Sequence, residues 1–140
     1  MIQNQKIALF SAGCFWGVQD SFNKKKGIIH SQVGYCGGKL IKPTYEAVCS
    51  GKTNHTETVE LKFDSTIISY KELCKFFFEI HDYTSYNMRQ FQSIIFYIDE
   101  EQKNTATEVM NSLNTNKEIQ TEIKEAKKFY LAEEEHQNYK

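Results

Sequence analysis

The chain lacks the features that would mark it as a nucleic-acid-binding or membrane protein. Its 140 residues carry a formal net charge of -1, so no excess of basic side chains favours phosphate backbones or anionic lipids. No apolar run approaches the roughly 18 residues that a membrane span requires, and the N-terminal residues show no apolar segment of signal-peptide length. We therefore expect a cytoplasmic protein that binds neither nucleic acid nor membranes.

The chain also lacks the cysteine density of a disulfide-stapled protein. It has only four cysteines, and they are too widely spaced for a small disulfide-stapled scaffold. The four histidines show no zinc-ligand spacing and have no paired cysteines beside them, so we predict no metal site. A length of 140 residues predicts a single domain over residues 1–140. In a reducing compartment, any disulfide of such a chain is more often catalytic than structural.

Proline occurs once, at Pro43, in a long segment after Gly37 and Gly38 that we predict to be a functional loop. Around it, hydrophobic periodicity and capping residues predict the regular elements. These are strands at 6–12, 28–35, 57–64 and 93–98 with a weaker one at 119–123, a helix at 17–27, and helices capped by Ser69 with Glu72 and by Asp99 with Gln102. The order strand, helix, strand, strand, helix, strand is the split βαβ pattern. We predict an α/β (α+β) fold, a two-layer sandwich with a ferredoxin-like core and a mixed sheet.

The stretch "SAGCFWGVQDSF" places Cys14 in the turn between the first strand and the first helix. Unpaired N–H groups and the helix dipole at such a position can lower a thiol pKa from about 8.5 to roughly 3.5–7.5. Phe15 and Trp16 cannot both point into the core with it, so at least one should stand beside the thiol as an apolar wall. That wall suits a methyl group on the atom under attack. A buried structural cysteine is the alternative on the residues alone.

Several motifs occur in the order found in peptide methionine sulfoxide reductase A. They are "GCFWG", "VGYCGG", "PTYEAVCSG", "TNHTETVELKFD", "ISY", "FFEIHD" and the closing "FYLAEEEHQNY". The chain resembles this family from about residue 6 onwards. The resemblance implies a two-layer α/β fold in which Cys14 attacks the sulfur of (S)-methionine sulfoxide and becomes a sulfenic acid. Phe15 and Trp16 would hold the methyl group of the substrate, whether free or in an oxidised protein.

The resemblance also implies an acid that protonates the sulfoxide oxygen, and here the chain departs from the pattern. We expect a glutamate two residues after the tyrosine of "PTY", but that position is Ala47, and Glu46 is only a weak candidate because it is shifted by one residue. An aspartate-bearing glycine-rich loop is cut down to "MRQFQ". Tyr35 is therefore the predicted oxygen-side donor and substrate contact. His55, Glu57 and Tyr86 are left as further candidates.

A sulfenic acid must be reduced by a second thiol. Many relatives place a resolving cysteine after the "HQ.Y" segment, which here lies at the end of the sequence, so we predict that Cys36 resolves Cys14. Direct reduction by an external thiol is the alternative, and Cys49 and Cys74 are predicted to be core residues. No cofactor is expected beyond a thiol reductant such as thioredoxin or dithiothreitol, and we expect a monomer.

The leading hypothesis is thus thiol-dependent reduction of (S)-methionine sulfoxide with Cys14 as nucleophile. A second is a divergent enzyme of the same type that acts on another sulfoxide or in another thiol-mediated reaction. A third is a non-catalytic module that binds methionine or its sulfoxide through the aromatic wall.

Overall fold

The computed structural model describes residues 4–139 and contains one six-stranded sheet with the order β5-β4-β1-β3-β2-β6. The strands are β1 (Gln5–Ala12), β2 (Ile28–Cys36), β3 (Thr56–Asp64), β4 (Ser93–Tyr97), β5 (Glu122–Glu125) and β6 (Tyr130–Leu131). The helices are α1 (Phe15–Asn23), α2 (Tyr45–Cys49), α3 (Tyr70–Glu79) and α4 (Glu100–Asn111), with short 3-10 turns at Arg89–Phe91 and Glu134–His136.

Strand pairing confirms the predicted ferredoxin-like core. β3 lies between β1 and β2 and is antiparallel to both, and β4 is antiparallel to β1 on its other side. The parallel pairing of β4 with β5 makes the sheet mixed, as predicted. This arrangement brings the ends of β1, β2 and β3 together at one edge of the two-layer structure.

Helices α1, α3 and α4 cover one face of the sheet. Phe10 is at the centre of the core on that face, with its ring 5.3 Å from Phe22 of α1 and 5.3 Å from Phe77 of α3. The opposite face carries a smaller buried cluster of Leu9, Cys36, Ile94 and Phe96, against which Ala126 and Phe129 pack. Since successive residues of a strand point to opposite faces, neighbours such as Tyr35 and Cys36 lie on different sides of the sheet.

The capping motifs are confirmed. Ser69 and Glu72 form a reciprocal capping box at α3, and Asp99 accepts a hydrogen bond from the Gln102 amide at α4. The first helix starts and ends earlier than the predicted 17–27, because Cys14 is its N-cap and Lys24 its C-cap.

Three elements differ from the sequence prediction. α2 lies in the predicted long loop, and its five residues are too few to show helical periodicity. β6 has two residues and owes its strand conformation to pairing with Gly34 and Tyr35 of β2. The strand predicted at 119–123 is β5, which begins three residues later and ends two residues later. In the part of the chain described, none of the helices is long and apolar enough to cross a membrane.

Candidate active site

Cys14 is exposed in the turn between β1 and α1. Gly13 makes this turn with a φ of 98°, a left-handed conformation that costs glycine little and other residues more. The chain therefore leaves the sheet edge and enters α1 within two residues, with Cys14 as the N-cap. The structure confirms the predicted position of the thiol at the start of a helix.

The surroundings raise the pKa of Cys14, contrary to the predicted lowering. Partial burial is the largest cause, and the negative charge of Glu57 acts in the same direction. The backbone amides of Trp16 and Gly17 favour the thiolate and lower the pKa, as expected at a helix start. Their contribution is smaller, since neither makes a full capping hydrogen bond to the sulfur.

We expect alkylation of Cys14 in the free protein to accelerate by about tenfold per pH unit between pH 7 and 9, because the thiolate is the nucleophile. Its pKa is raised rather than lowered, so no plateau should occur in this interval. Iodoacetamide labelling followed by peptide-resolved mass spectrometry measures the rate at Cys14 separately from that at the exposed Cys49. A plateau below pH 8 would contradict the raised pKa.

An aromatic cluster adjoins Cys14. Phe15 is buried, with its ring 5.8 Å from Tyr35 and 6.3 Å from Tyr45. Trp16 is half-buried and stacks on Tyr45 at 6.2 Å and on Tyr139 at 4.1 Å. The predicted wall of Phe15 and Trp16 is therefore present, with Trp16 as its more accessible member.

The C-terminal segment completes this wall, which sequence reasoning missed. The Trp16 indole N–H donates to Nδ1 of His136 at 3.1 Å, and the His136 ring lies 4.4 Å from that of Tyr45. Gln137 ties the segment to β2 by accepting from the Val33 amide at 2.8 Å and donating to the Val33 carbonyl at 2.9 Å. These contacts hold Trp16 in one orientation.

Glu57 is the buried carboxyl group of the site. Its Oε1 accepts a hydrogen bond from the Phe15 amide at 3.1 Å, and its Oε2 accepts one from Nε2 of Gln90 at 2.6 Å. Burial raises the pKa of Glu57, although these two hydrogen bonds and the charge of His136 oppose the shift. The group therefore retains a proton to higher pH than an exposed glutamate does.

The buried carboxyl group of the site does not come from the segment around "PTY", where the acid was predicted. Glu46 is exposed on α2, so the structure favours the buried Glu57 over this weak candidate. The substitution at Ala47 does not leave the site without a carboxyl group, because Glu57 reaches it from β3. His55 instead accepts from the Gly38 amide and contacts the Leu40 carbonyl, and Tyr86 is 82% exposed.

Tyr35 lies beside Glu57, its direct partner in the pairing of β2 with β3, and its role as the oxygen-side donor stays a prediction. Tyr35 is fully buried behind Phe15, and its hydroxyl donates to Oε1 of Glu133 at 3.0 Å. Burial and this carboxylate raise the pKa of Tyr35 far above its ordinary value, so its proton is firmly held. Glu133 also accepts the Tyr45 amide at 3.0 Å, which links Tyr35 to the start of α2.

Tyr45 is the phenol that lies among the reactive groups. Partial burial and the neighbouring Cys49, Glu57 and Cys14 raise the pKa of Tyr45 to about 12. The hydroxyl therefore remains protonated at neutral pH, so it can donate to a bound oxygen.

The other three cysteines divide between core and surface. Cys36 faces away from the aromatic wall, buried in the opposite cluster, where its sulfur contacts the Lys127 carbonyl at 3.8 Å. This position on the opposite face does not favour its predicted role in resolving Cys14. Cys74 is buried as predicted, whereas Cys49 is exposed and contradicts its assignment to the core. Among the described residues, no group of three or more His, Cys, Asp or Glu side chains is placed to hold a metal ion.

Comparison with known families assigns the chain. The family model described as "Peptide methionine sulfoxide reductase" matches residues 6–140. The chain belongs to this family. It is 44% identical to peptide methionine sulfoxide reductase MsrA of Methanothermobacter thermautotrophicus over 94% of this chain and 84% of that protein. It is 42% identical to the MsrA of Pelagibacter ubique, over 96% of this chain and 97% of the relative.

Solved structures agree with this peptide methionine sulfoxide reductase assignment. Mxr1 from Saccharomyces cerevisiae in its reduced form superposes with a TM-score of 0.91 at 30% identity, covering 96% of this chain and 83% of Mxr1. Mxr1 in complex with Trx2 superposes with a TM-score of 0.71 at 26% identity, covering 91% and 80% of the two chains. The fold is thus that of these reductase structures.

Proposed function

We propose that this chain reduces (S)-methionine sulfoxide, free or in peptides, to methionine through a sulfenic acid on Cys14. The observation that carries the proposal is the position of the Cys14 thiol, between an aromatic wall and a buried carboxyl group of raised pKa. Nucleophilic attack on a sulfoxide needs an acid for the oxygen, and these groups supply both functions. Membership of the reductase family supports the same reaction.

In the proposed mechanism the Cys14 sulfur attacks the sulfoxide sulfur while the oxygen receives a proton. Glu57 is the donor, assisted by the Tyr45 hydroxyl, and it regains a proton from the thiol. The substrate methyl group rests against Phe15 and Trp16, whose orientation is set by contact with His136. The oxygen ends on the Cys14 sulfur as a sulfenic acid, and methionine leaves.

Regeneration of the thiol requires an external dithiol of the thioredoxin type, with dithiothreitol as a substitute in vitro, and no bound cofactor. The complex of Mxr1 with Trx2 supports a partner of this kind for a related chain. We further propose that residues 1–140 form one catalytic domain that acts as a cytoplasmic monomer and binds no nucleic acid, in keeping with the near-neutral charge.

The test is stereospecific turnover. With dithiothreitol, the protein should convert the S epimer of a blocked methionine sulfoxide to the methionine derivative, and the R epimer should remain, as measured by chiral chromatography. The aromatic wall fixes the position of the substrate methyl group, and the acid fixes that of the sulfoxide oxygen. With these two groups fixed, the sulfur is open to attack by Cys14 in only one of the two epimers. Absence of product from both epimers would overturn the proposed reaction.

A further inference from the structure

We propose that Cys49 is the thiol that resolves the Cys14 sulfenic acid, forming a Cys14–Cys49 disulfide that a thioredoxin-type dithiol then reduces. This inference rests on the proposed function, because the sulfenic acid is its product. It assigns to Cys49 a recycling role that the sequence had suggested for Cys36.

Hydrogen bonds link Cys49 to the immediate surroundings of Cys14. Nε2 of Gln90 lies 3.2 Å from the Cys49 sulfur and 2.6 Å from Oε2 of Glu57. The other oxygen of Glu57 accepts the amide of Phe15, the residue that follows Cys14. Gln90 is itself buried, so one amide and one carboxyl group connect Cys49 to the residue that follows Cys14.

Tyr45 connects Cys49 to the aromatic wall beside Cys14. It begins the five-residue helix α2 that Cys49 ends, so the two side chains are four positions apart and share a helix face. The Tyr45 ring lies 6.3 Å from that of Phe15, the residue that follows Cys14, and 6.2 Å from that of Trp16. Cys49 and Cys14 both contribute to the raised pKa of Tyr45. Cys49 therefore lies at the candidate active site.

The position of Cys49 on α2 favours movement and access. Cys49 is the last residue of a five-residue helix, a length with little stability of its own, and Ser50, Gly51 and Lys52 beyond it are exposed. Formation of the disulfide requires this last turn to bring the Cys49 sulfur into contact with that of Cys14. Because Cys49 is exposed, a dithiol protein can reach the resulting disulfide.

The two remaining cysteines are unsuited to this step. Burial raises the pKa of Cys36 to about 11 and that of Cys74 to about 12, so both remain thiols at neutral pH. Both are also buried, and Cys36 is on the far face of the sheet.

The step balances without another reactant. The Cys49 sulfur attacks the Cys14 sulfur, an S–S bond forms and the S–O bond breaks. The hydroxide that leaves takes up the proton released by the Cys49 thiol and departs as water. The two cysteines lose the two electrons that reduced the sulfoxide, and thiol–disulfide exchange with the external dithiol restores both thiols.

A single turnover without reductant tests the proposal. One equivalent of (S)-methionine sulfoxide should release one equivalent of methionine, and non-reducing peptide mapping should show Cys14 joined to Cys49. Cys49→Ser should still release that methionine but stop at a Cys14 sulfenic acid that dimedone traps. Its steady-state turnover with thioredoxin should fall by at least about tenfold, whereas turnover with small, freely diffusing dithiothreitol should remain within about twofold of the wild-type rate.

Cys36→Ala and Cys74→Ala are the matched controls, and both should form the Cys14–Cys49 disulfide. Two outcomes in the wild-type protein would overturn the role of Cys49 but not the proposed function. Both begin with a full burst of methionine, followed either by a stable sulfenic acid or by a disulfide between Cys14 and another cysteine. Absence of the burst would overturn the proposed function itself, so the two failures are distinguishable.

Discussion

Cys14→Ser is expected to lower sulfoxide reduction by at least about 10⁴-fold with either thioredoxin or dithiothreitol, since removal of a nucleophile eliminates the covalent route. A serine hydroxyl is far more weakly acidic than a thiol, and it cannot accept the oxygen as a reducible sulfenic acid. The exposed position of Cys14 makes the exchange of sulfur for oxygen well tolerated by the fold. Methionine release measured by chromatography gives the rate.

Cys36→Ala is the control for this experiment, because Cys36 is buried on the opposite face of the sheet. Its loss leaves a small cavity and should cost about 1 kcal/mol of stability with turnover unchanged. Residual turnover in Cys14→Ser above a few per cent of wild type would contradict the assignment of Cys14 as nucleophile. A thermal unfolding profile for both variants separates loss of chemistry from loss of fold.

Glu57→Gln is expected to change two rates in opposite directions. Sulfoxide turnover should fall by about 10²–10⁴-fold, the range typical of a lost general acid. Alkylation of Cys14 at neutral pH should become faster, because the charge that helps to raise the pKa of Cys14 is gone. A glutamine retains an oxygen for the Phe15 amide, and rotation of the Gln90 amide lets the two side chains pair.

The pH dependence distinguishes an acid from a structural residue at position 57. Wild-type turnover should decline as the pH rises through the raised pKa of Glu57, and Glu57→Gln should lack that decline. A raised pKa in the folded protein also means that ionisation of Glu57 costs stability with rising pH, so the variant should not melt at a lower temperature at neutral pH. Glu46→Gln, on the exposed side of α2, should match wild type in every measurement. Parallel loss of turnover and alkylation in Glu57→Gln would contradict the proposed role.

The alternation of side chains along β3 could have predicted the position of Glu57 from the sequence. Val59, Leu61 and Phe63 were predicted to share one face of their strand, and the structure places all three in the helix-covered core. Glu57 is two residues before Val59, so the same alternation puts its side chain on that face. There it is next to Tyr35 of the paired strand β2. The same rule separates Cys36 from Tyr35, which excludes Cys36 from the thiol's side of the sheet.

Other contacts of the site join residues that are far apart in the sequence, so no local sequence pattern predicts them. Trp16 and His136 are 120 positions apart, and Gln90 and Glu57 are 33 apart, so only the assembled sheet brings each pair together. Helix α2 has too few residues to show a helical period in the sequence. The exposed position of Cys49 at its end could therefore not be predicted. The elements with long apolar stripes were predictable, whereas contacts made by isolated polar side chains depend on the tertiary structure.

The binding wall draws on residues that are far apart in the sequence, since Trp16 in α1 is held between Tyr45 and the later pair His136 and Tyr139. During synthesis from the N-terminus, the thiol and its helix emerge first, and the His136 ring follows Trp16 by 120 positions. A nascent chain thus carries the nucleophile before it has a complete binding wall. Reactivity towards a specific sulfoxide therefore depends on completion of the tertiary structure.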